Sequence, residues 1–313
     1  MSKKCLHALL VGINNYHPAS VNVNNLGGSL NDVLTIDEYL RKTFKNHKDF
    51  EPVKPKILMD DEASREGVIK AFRAKAAEAK EGDTFYFHYS GHGSREKAPP
   101  EFEAAFGEDK NETIVLYDSR TPDGMDLADK ELAFLLSEIP KGVHTVLTMD
   151  CCHAGSNSRD AGDMGVNTNT RQSEDATQKR NLNTYIGPYA DQHAAGQDLE
   201  VPDSNYLAIG ACRHDEKALE IDGKGLFTKT LIASLEADIN NRSYAGIYSR
   251  LNSIVKNTTK NQHPQFEYYG EINPLASFLE GKESTLPLFA TVKFRQGEWR
   301  MNFGAINGLR HHE

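Results

Sequence analysis

Apolar residues come in short runs separated by helical stripes from the start of the chain. Residues 6–13 form a strand-like apolar run. Between 28 and 41, Leu30, Val33, Leu34 and Leu40 recur at helical spacing. A second strand is expected at 54–59, weakened by Pro55. Asp60 and Asp61 then offer N-caps to a helix running through Lys80, with Val68, Ile69, Phe72, Ala76 and Ala79 on one stripe. Further strands are expected at 84–89, 113–117, 142–149 and 206–211, with helices at 129–136, 227–235 and 244–255. A hairpin around Gln296-Gly297 joins 287–294 to 299–303. Strands alternating with helices at these lengths predict an α/β three-layer sandwich, with a mainly parallel sheet of about six strands and helices on both faces.

From 156 to 205 the periodicity is lost in favour of Asn, Asp, Thr, Gln, Arg and Gly. A segment this long without a pattern is either functional or disordered. The chain therefore divides into a catalytic-type region at 1–155, a flexible linker at 156–204, a second folded region at 205–281 and a hairpin extension at 282–313.

Two strands end in chemistry. Residues 144–155 pass from an apolar, β-branched run into Asp150-Cys151-Cys152-His153-Ala154-Gly155, and 83–94 pass from an aromatic run into Ser90-Gly91-His92-Gly93. Parallel sheets deliver functional side chains at their carboxyl ends, so a thiol and an imidazole are expected to meet there. Successive side chains of a strand alternate in direction, so Asp150 and Cys152 share a face while Cys151 points into packing and His153 points away from the thiol. That makes Cys152 the candidate nucleophile and His92 its base. Gly93 permits close approach, and its N–H with that of Cys152 can form an oxyanion hole. Asp32, early in the first helix, is placed to converge with Asp150 on one pocket, and two carboxylates there would select a Lys or Arg side chain.

Composition narrows the field. The 313 residues carry 36 basic and 45 acidic side chains, a net charge of −9, which argues against nucleic-acid or anionic-membrane partners. Apolar segments all stay well short of a membrane span, and no signal-peptide pattern precedes the first strand. Four cysteines, two of them adjacent, do not suggest a disulfide framework, so a reducing, cytoplasmic setting is expected. Cys-Cys-His in immediate succession lacks the spacing of a structural zinc site.

Tyr89-Ser90-Gly91-His92-Gly93 and Asp150-Cys151-Cys152-His153-Ala154-Gly155 together resemble the metacaspase-like (orthocaspase) branch of the caspase–hemoglobinase clan, peptidase family C14. Residues 207–220 and Gln262-His263-Pro264-Gln265 resemble its small-subunit segments. The resemblance implies a cysteine endopeptidase cleaving proteins or peptides after Arg or Lys, through a dyad with no essential third member. It places Asp32, Asp150, Ser90 and Ser29 in the S1 pocket, Ser29 standing where the family often has cysteine. Calcium-binding positions of the family fall on Asn111-Glu112, Asp129-Lys130 and Asp160, and a lysine beside the cation argues against calcium, leaving no cofactor expected. The patternless segment lies between the two subunit regions and carries Arg159, Arg171, Lys179 and Arg180. Self-cleavage is expected there after Lys179 or Arg180. Alternatives are a clan relative preferring Asn or Asp, or an inactive scaffold or regulatory module. A longer protein would have room for further domains or a regulatory partner.

Overall fold

The computed structural model describes residues 3–152, 168–214, 216–237, 242–270, 272–282, 292–295 and 298–301. Its central sheet runs in the order β2 (Lys56–Met59), β1 (Leu6–Gly12), β3 (Thr84–Ser90), β7 (His144–Asp150), β9 (Tyr206–Gly210) and β12 (Gln265–Tyr269), labels following chain order. The first five are parallel, and β12 pairs antiparallel with β9.

All seven residues of β3 are buried, as a strand covered on both faces requires. On one face, α1 (Ser29–Phe44), α6 (Leu226–Ala237) and α7 (Tyr244–Thr258) bring Val33, Leu40, Phe227, Leu231 and Leu251 onto Leu10, Tyr86 and Val146. On the other, α2 (Arg65–Glu78) and α4 (Asp129–Ser137) bring Val68, Phe72 and Leu135 onto Leu9, Phe87 and Leu147. The expected three-layer α/β sandwich is therefore the observed one.

Several expected boundaries shift. Asp60 does not cap α2. It adopts a positive φ of 44° and its carboxylate accepts from the Asn14 and Asn15 N–H groups. A short 3-10 turn at Asp60–Ala63 follows, and Ser64 caps the helix by accepting from the Gly67 N–H at 3.2 Å. The strand expected at 113–117 is β5 (Lys110–Ile114), and it lies outside the central sheet. It pairs instead with β4 (Gly93–Lys97) and β6 (Leu127–Ala128) in a small antiparallel sheet, because the chain doubles back after Lys97. The sixth central strand is β12. Its outer half is exposed, so it shows no buried alternation for a sequence reading to detect.

From residue 168 onward the segment expected to be a flexible linker packs onto the fold. Thr168–Thr170 forms β8 and joins β10 (Leu219–Ile221) and β11 (Lys224–Gly225) in a third sheet. Farther along, α5 (Tyr189–Ala194) and Tyr185 close a satellite core around Phe102 of α3 (Pro100–Phe106), with ring centroids 4.9 and 5.1 Å from the Phe102 ring. Aromatic side chains hold this segment without any periodic pattern. The C-terminal hairpin pairs β13 (Val292–Arg295) with β14 (Glu298–Met301), and the rest of 283–313 lies outside the described residues. No described helix is long and apolar enough to cross a membrane.

Candidate active site

Parallel pairing puts Ser90 of β3 beside Asp150 of β7, so the two polar strand ends adjoin at the carboxyl edge of the sheet. Cys152 sits on the α1/α6 face and Cys151 on the α2/α4 face, both buried. His153, Arg159 and Asp160 lie outside the described residues.

His92 is fixed by neighbours on every side. Its main-chain N–H donates to the Tyr16 Oη at 2.8 Å, and the Tyr16 ring lies 5.3 Å from the imidazole. Tyr89 Oη stands 2.8 Å from the His92 carbonyl and 2.7 Å from that of Val115, donating between them. The Asn24 carbonyl accepts from Nε2 at 2.8 Å, which leaves Nδ1 buried, unpartnered and without its proton. Burial pushes the imidazole pKa down to about 4, so the ring is neutral at neutral pH. A neutral ring with a free Nδ1 is equipped to take a proton.

Beside it lies an acidic pocket, and Arg171 fills it. The Arg171 side chain is 0% exposed. Nη2 donates to Asp32 Oδ2 at 2.6 Å, and Nη1 reaches Ser90 Oγ at 2.7 Å and Asp150 Oδ2 at 3.1 Å. Glu220 adds a third carboxylate at 3.6 Å from Nη2. The acids are themselves held. Thr228 donates to Asp150 Oδ2 from its N–H (3.0 Å) and hydroxyl (2.7 Å), the Gly225 N–H donates to Asp32 Oδ1 at 3.0 Å, and the Gly27 N–H to Glu220 Oε1 at 3.2 Å. Burial pushes the Asp32 pKa up to about 6; Arg171 opposes that rise and Asp150 adds to it. For Arg171 burial works against the charge, yet Asp150, Asp32 and Glu220 outweigh it and raise its pKa. Ser29, at the start of α1, is buried with its hydroxyl unpartnered.

The backbone of Arg171 is equally specific in its placement. Its carbonyl oxygen accepts from the Gly93 N–H at 3.1 Å and the Cys152 N–H at 3.2 Å, while its own N–H donates to the Ala218 carbonyl at 3.0 Å. Residues 168–170 run antiparallel along β10, and after Arg171 the chain runs beside β4, with Gln172 bridged to Gly93 and Ala176 to Glu96. A Cβ on Gly93 would stand 1.7 Å from the Cys152 carbonyl oxygen, so only glycine permits this approach. The Cys152 thiol accepts from the Ala218 N–H at 2.7 Å and touches Cys212.

The expected processing residues are not the ones brought to this site. Arg180 is buried elsewhere, donating to Glu131 at 3.0 Å and Glu96 at 3.3 Å and stacked 3.7 Å over the Tyr185 ring. Lys179 beside it is exposed. Of the calcium-type positions, Asn111 Nδ2 donates to Glu96 and Tyr185, and the Lys130 ammonium lies 2.8 Å from Asp129 and 2.7 Å from Glu108. Among the described residues the single group with metal-ligand proximity is Cys5, His7 and Asp83, at the opposite edge of the sheet.

Sequence reasoning missed Tyr16, Asn24, Glu220, Gly225 and Thr228. Asn24 acts through its main-chain carbonyl, which every residue type possesses. Glu220 carried a signal, an acid in the 207–220 segment, but nothing tied it to Gly27.

Residues 6–159 match the family model described as metacaspase, peptidase C14 domain. Metacaspase III c of Phaeodactylum tricornutum is 34% identical over 154 residues, covering 48% of this chain and 42% of its own length. Metacaspase-1 of Mycosarcoma maydis is 32% identical over 156 residues, covering 48% and 35%. The chain thus spans less than half the length of these relatives. Protein GSU0716 of Geobacter sulfurreducens shares the fold, with a TM-score of 0.61 at 22% identity, over 87% of this chain and 95% of that one.

Proposed function

Residues 6–159 are a metacaspase-like domain of the cysteine peptidase family C14, and from that premise we propose that the protein is an endopeptidase cleaving after Arg or Lys, with its own Arg171–Gln172 bond as first substrate. One observation carries the reading. The Arg171 guanidinium lies between Asp32 and Asp150 while its carbonyl oxygen faces the Gly93 and Cys152 N–H groups. A basic P1 residue would be held in the same way.

The chemistry follows from those positions. Cys152 Sγ attacks the Arg171 carbonyl carbon and its proton passes to His92 Nδ1. Two N–H donors hold the negative oxygen, a contribution on the order of 10²–10³ in rate per donor. As the intermediate collapses, the bond to the Gln172 nitrogen breaks and His92 returns the proton to the departing amine. Water, deprotonated by the same ring, then hydrolyses the thioester and restores the thiol. The Asn24 carbonyl holds the tautomer throughout, so the third member is a main-chain group and not a side chain.

Asn or Asp at P1 would leave Asp32 and Asp150 without a cation in a buried pocket, which is strongly unfavourable. Processing is assigned to Arg171 in place of Lys179 or Arg180, because Arg180 is sequestered in its own ion pairs. Calcium is not needed on this reading, since Lys130 already neutralises Asp129 and Glu108. Fluorogenic peptides ending in Arg, Lys, Asn or Asp test the activity. Cleavage of the Arg and Lys peptides, lost in Cys152→Ala, is expected. Equal cleavage of all four, or cleavage by the Cys152→Ala variant, overturns it. No cleavage of any would favour the scaffold reading.

A further inference from the structure

Past the Arg171 carbonyl, the chain meets a second built site, and the inference drawn from it rests on the proteolytic reading above. Ser173, two residues beyond the bond assigned for cleavage, is 4% exposed. Its hydroxyl accepts from Arg120 Nη1 at 2.8 Å and donates to the Asn22 carbonyl at 2.7 Å. We propose that Arg120 and Asn22 form an S2′ subsite selecting serine, so that substrates are proteins or peptides carrying Arg-X-Ser, cut after the arginine.

The argument is one of hydrogen-bond inventory. Only a hydroxyl can accept from the guanidinium and donate to the carbonyl through one atom in so small a space. Alanine would leave the Asn22 carbonyl unpaired and cost Arg120 Nη1 one of its two partners here, the other being the Glu174 carbonyl at 2.6 Å. A larger side chain has no room beside a residue this buried.

Arg120 is preorganised for the task. Nη2 donates to Asp126 Oδ2 at 3.0 Å and Nε to Oδ1 at 3.3 Å, and Asp126 also accepts from Thr113 Oγ1 at 2.9 Å. Both residues that grip the serine stand in the left-handed region, Asn22 with φ 59° and Arg120 with φ 60°, and the Val21 N–H donates to the Arg120 carbonyl at 3.2 Å. Asn adopts that conformation readily, so the backbone strain, of the kind found around ligand clamps, falls on Arg120.

Neighbouring positions lack such contacts. The Glu174 side chain is exposed and its carbonyl is held by Arg120 and by Ser94 Oγ at 2.7 Å, an interaction any residue can make. On the other side of the bond, 168–170 pair with β10 through their backbones. Buried side-chain contacts are therefore concentrated at the arginine and at the serine two residues after it, the next side-chain pairing being the half-buried one of Asp175 with Lys110 at 2.8 Å.

The test uses the self-processed protein and two kinds of peptide. One ends in Arg bearing a fluorogenic amide leaving group and has no prime-side residues. The other is an internally quenched series, Arg-Gln-Ser, Arg-Gln-Ala and Arg-Gln-Val in one common frame. The Ser peptide is expected to exceed the Ala peptide about tenfold in kcat/KM, with Val lower still, and Arg120→Met is expected to bring the Ser/Ala ratio to about one. Cleavage of the amide substrate with equal rates across the quenched series in the unaltered protein overturns the S2′ assignment alone. Failure to cleave either kind overturns the proteolytic reading and this site with it. Should Arg120→Met fail to fold with Asp126 left unpaired, the peptide series still decides the matter.

Discussion

The carbonyl oxygen of Arg171 accepts a hydrogen bond from the main-chain N–H of Cys152 at 3.2 Å, although nineteen residues separate them in sequence. The same arginine places its guanidinium in the acidic pocket, against Asp32 and Asp150. On the proposed reading the protein would be silent before processing, since the pocket is filled by its own chain.

Arg171→Ala is expected to prevent self-cleavage, and Arg171→Lys to retain it at a reduced rate. Lysine keeps the charge but offers a point donor where Asp32, Ser90 and Asp150 are arranged around a planar fork. A time course on a denaturing gel checks both. Undiminished cleavage in Arg171→Ala would remove Arg171 from the scheme.

Arg180→Ala should act on stability. It strips the cation from buried Glu96, while buried Glu131 keeps Arg65 as its partner, and the uncompensated Glu96 charge costs about 3–5 kcal/mol. Denaturant unfolding of the Cys152→Ala background measures this without interference from cleavage. A loss under 1 kcal/mol would mean that the segment is held by its aromatic contacts instead.

Gly93→Ala should abolish processing while leaving the protein folded. The added methyl meets the Cys152 carbonyl oxygen at 1.7 Å, so β4 must draw back and withdraw one oxyanion donor. A fall on the order of 10²–10³ in kcat, with circular dichroism unchanged, is expected. Full activity in this variant would show that the Gly93 N–H is not used.

His88 gives a pH dependence whose sign is fixed. It is fully buried with Nδ1 2.8 Å from Thr148 Oγ1, and burial pushes its pKa down to about 3. The folded protein therefore prefers the neutral ring. Stability from that preference is intact above the ordinary histidine value of about 6.5 and is lost as pH falls toward 3, at up to about 1.4 kcal/mol per pH unit. Relative to His88→Phe, the parent protein should lose about 2 kcal/mol between pH 7.5 and pH 5. Asp32, whose pKa is raised, has the opposite sign near pH 6, but it is common to both proteins and cancels in the difference. Parallel pH profiles would contradict the assignment.

Chelation by EGTA should leave the rate of self-cleavage unchanged, because the Lys130 ammonium stands between Asp129 and Glu108. A rate that collapses on chelation and returns with added calcium would contradict this.

Strand ends were the legible part of the chain. Alternation along β7 separates Cys151 from Cys152, and the same parity puts Asp150 with Cys152 on the α1/α6 face. What stayed hidden is what depends on distant partners. Arg171 and Arg180 look alike in a polar segment, and their environments differ only because Asp32 and Asp150 surround one while Glu96 and Glu131 surround the other. The Asn24 carbonyl leaves no mark in the sequence, and β12 hid because an edge strand need not alternate.

Peptide mapping of the purified protein beside its Cys152→Ala variant tests the central claim most directly. The account predicts two fragments from the parent protein, the second beginning at Gln172, and a single intact chain from Cys152→Ala. A new N-terminus at Arg180 or Asn181, or fragments from the Cys152→Ala protein, would contradict it.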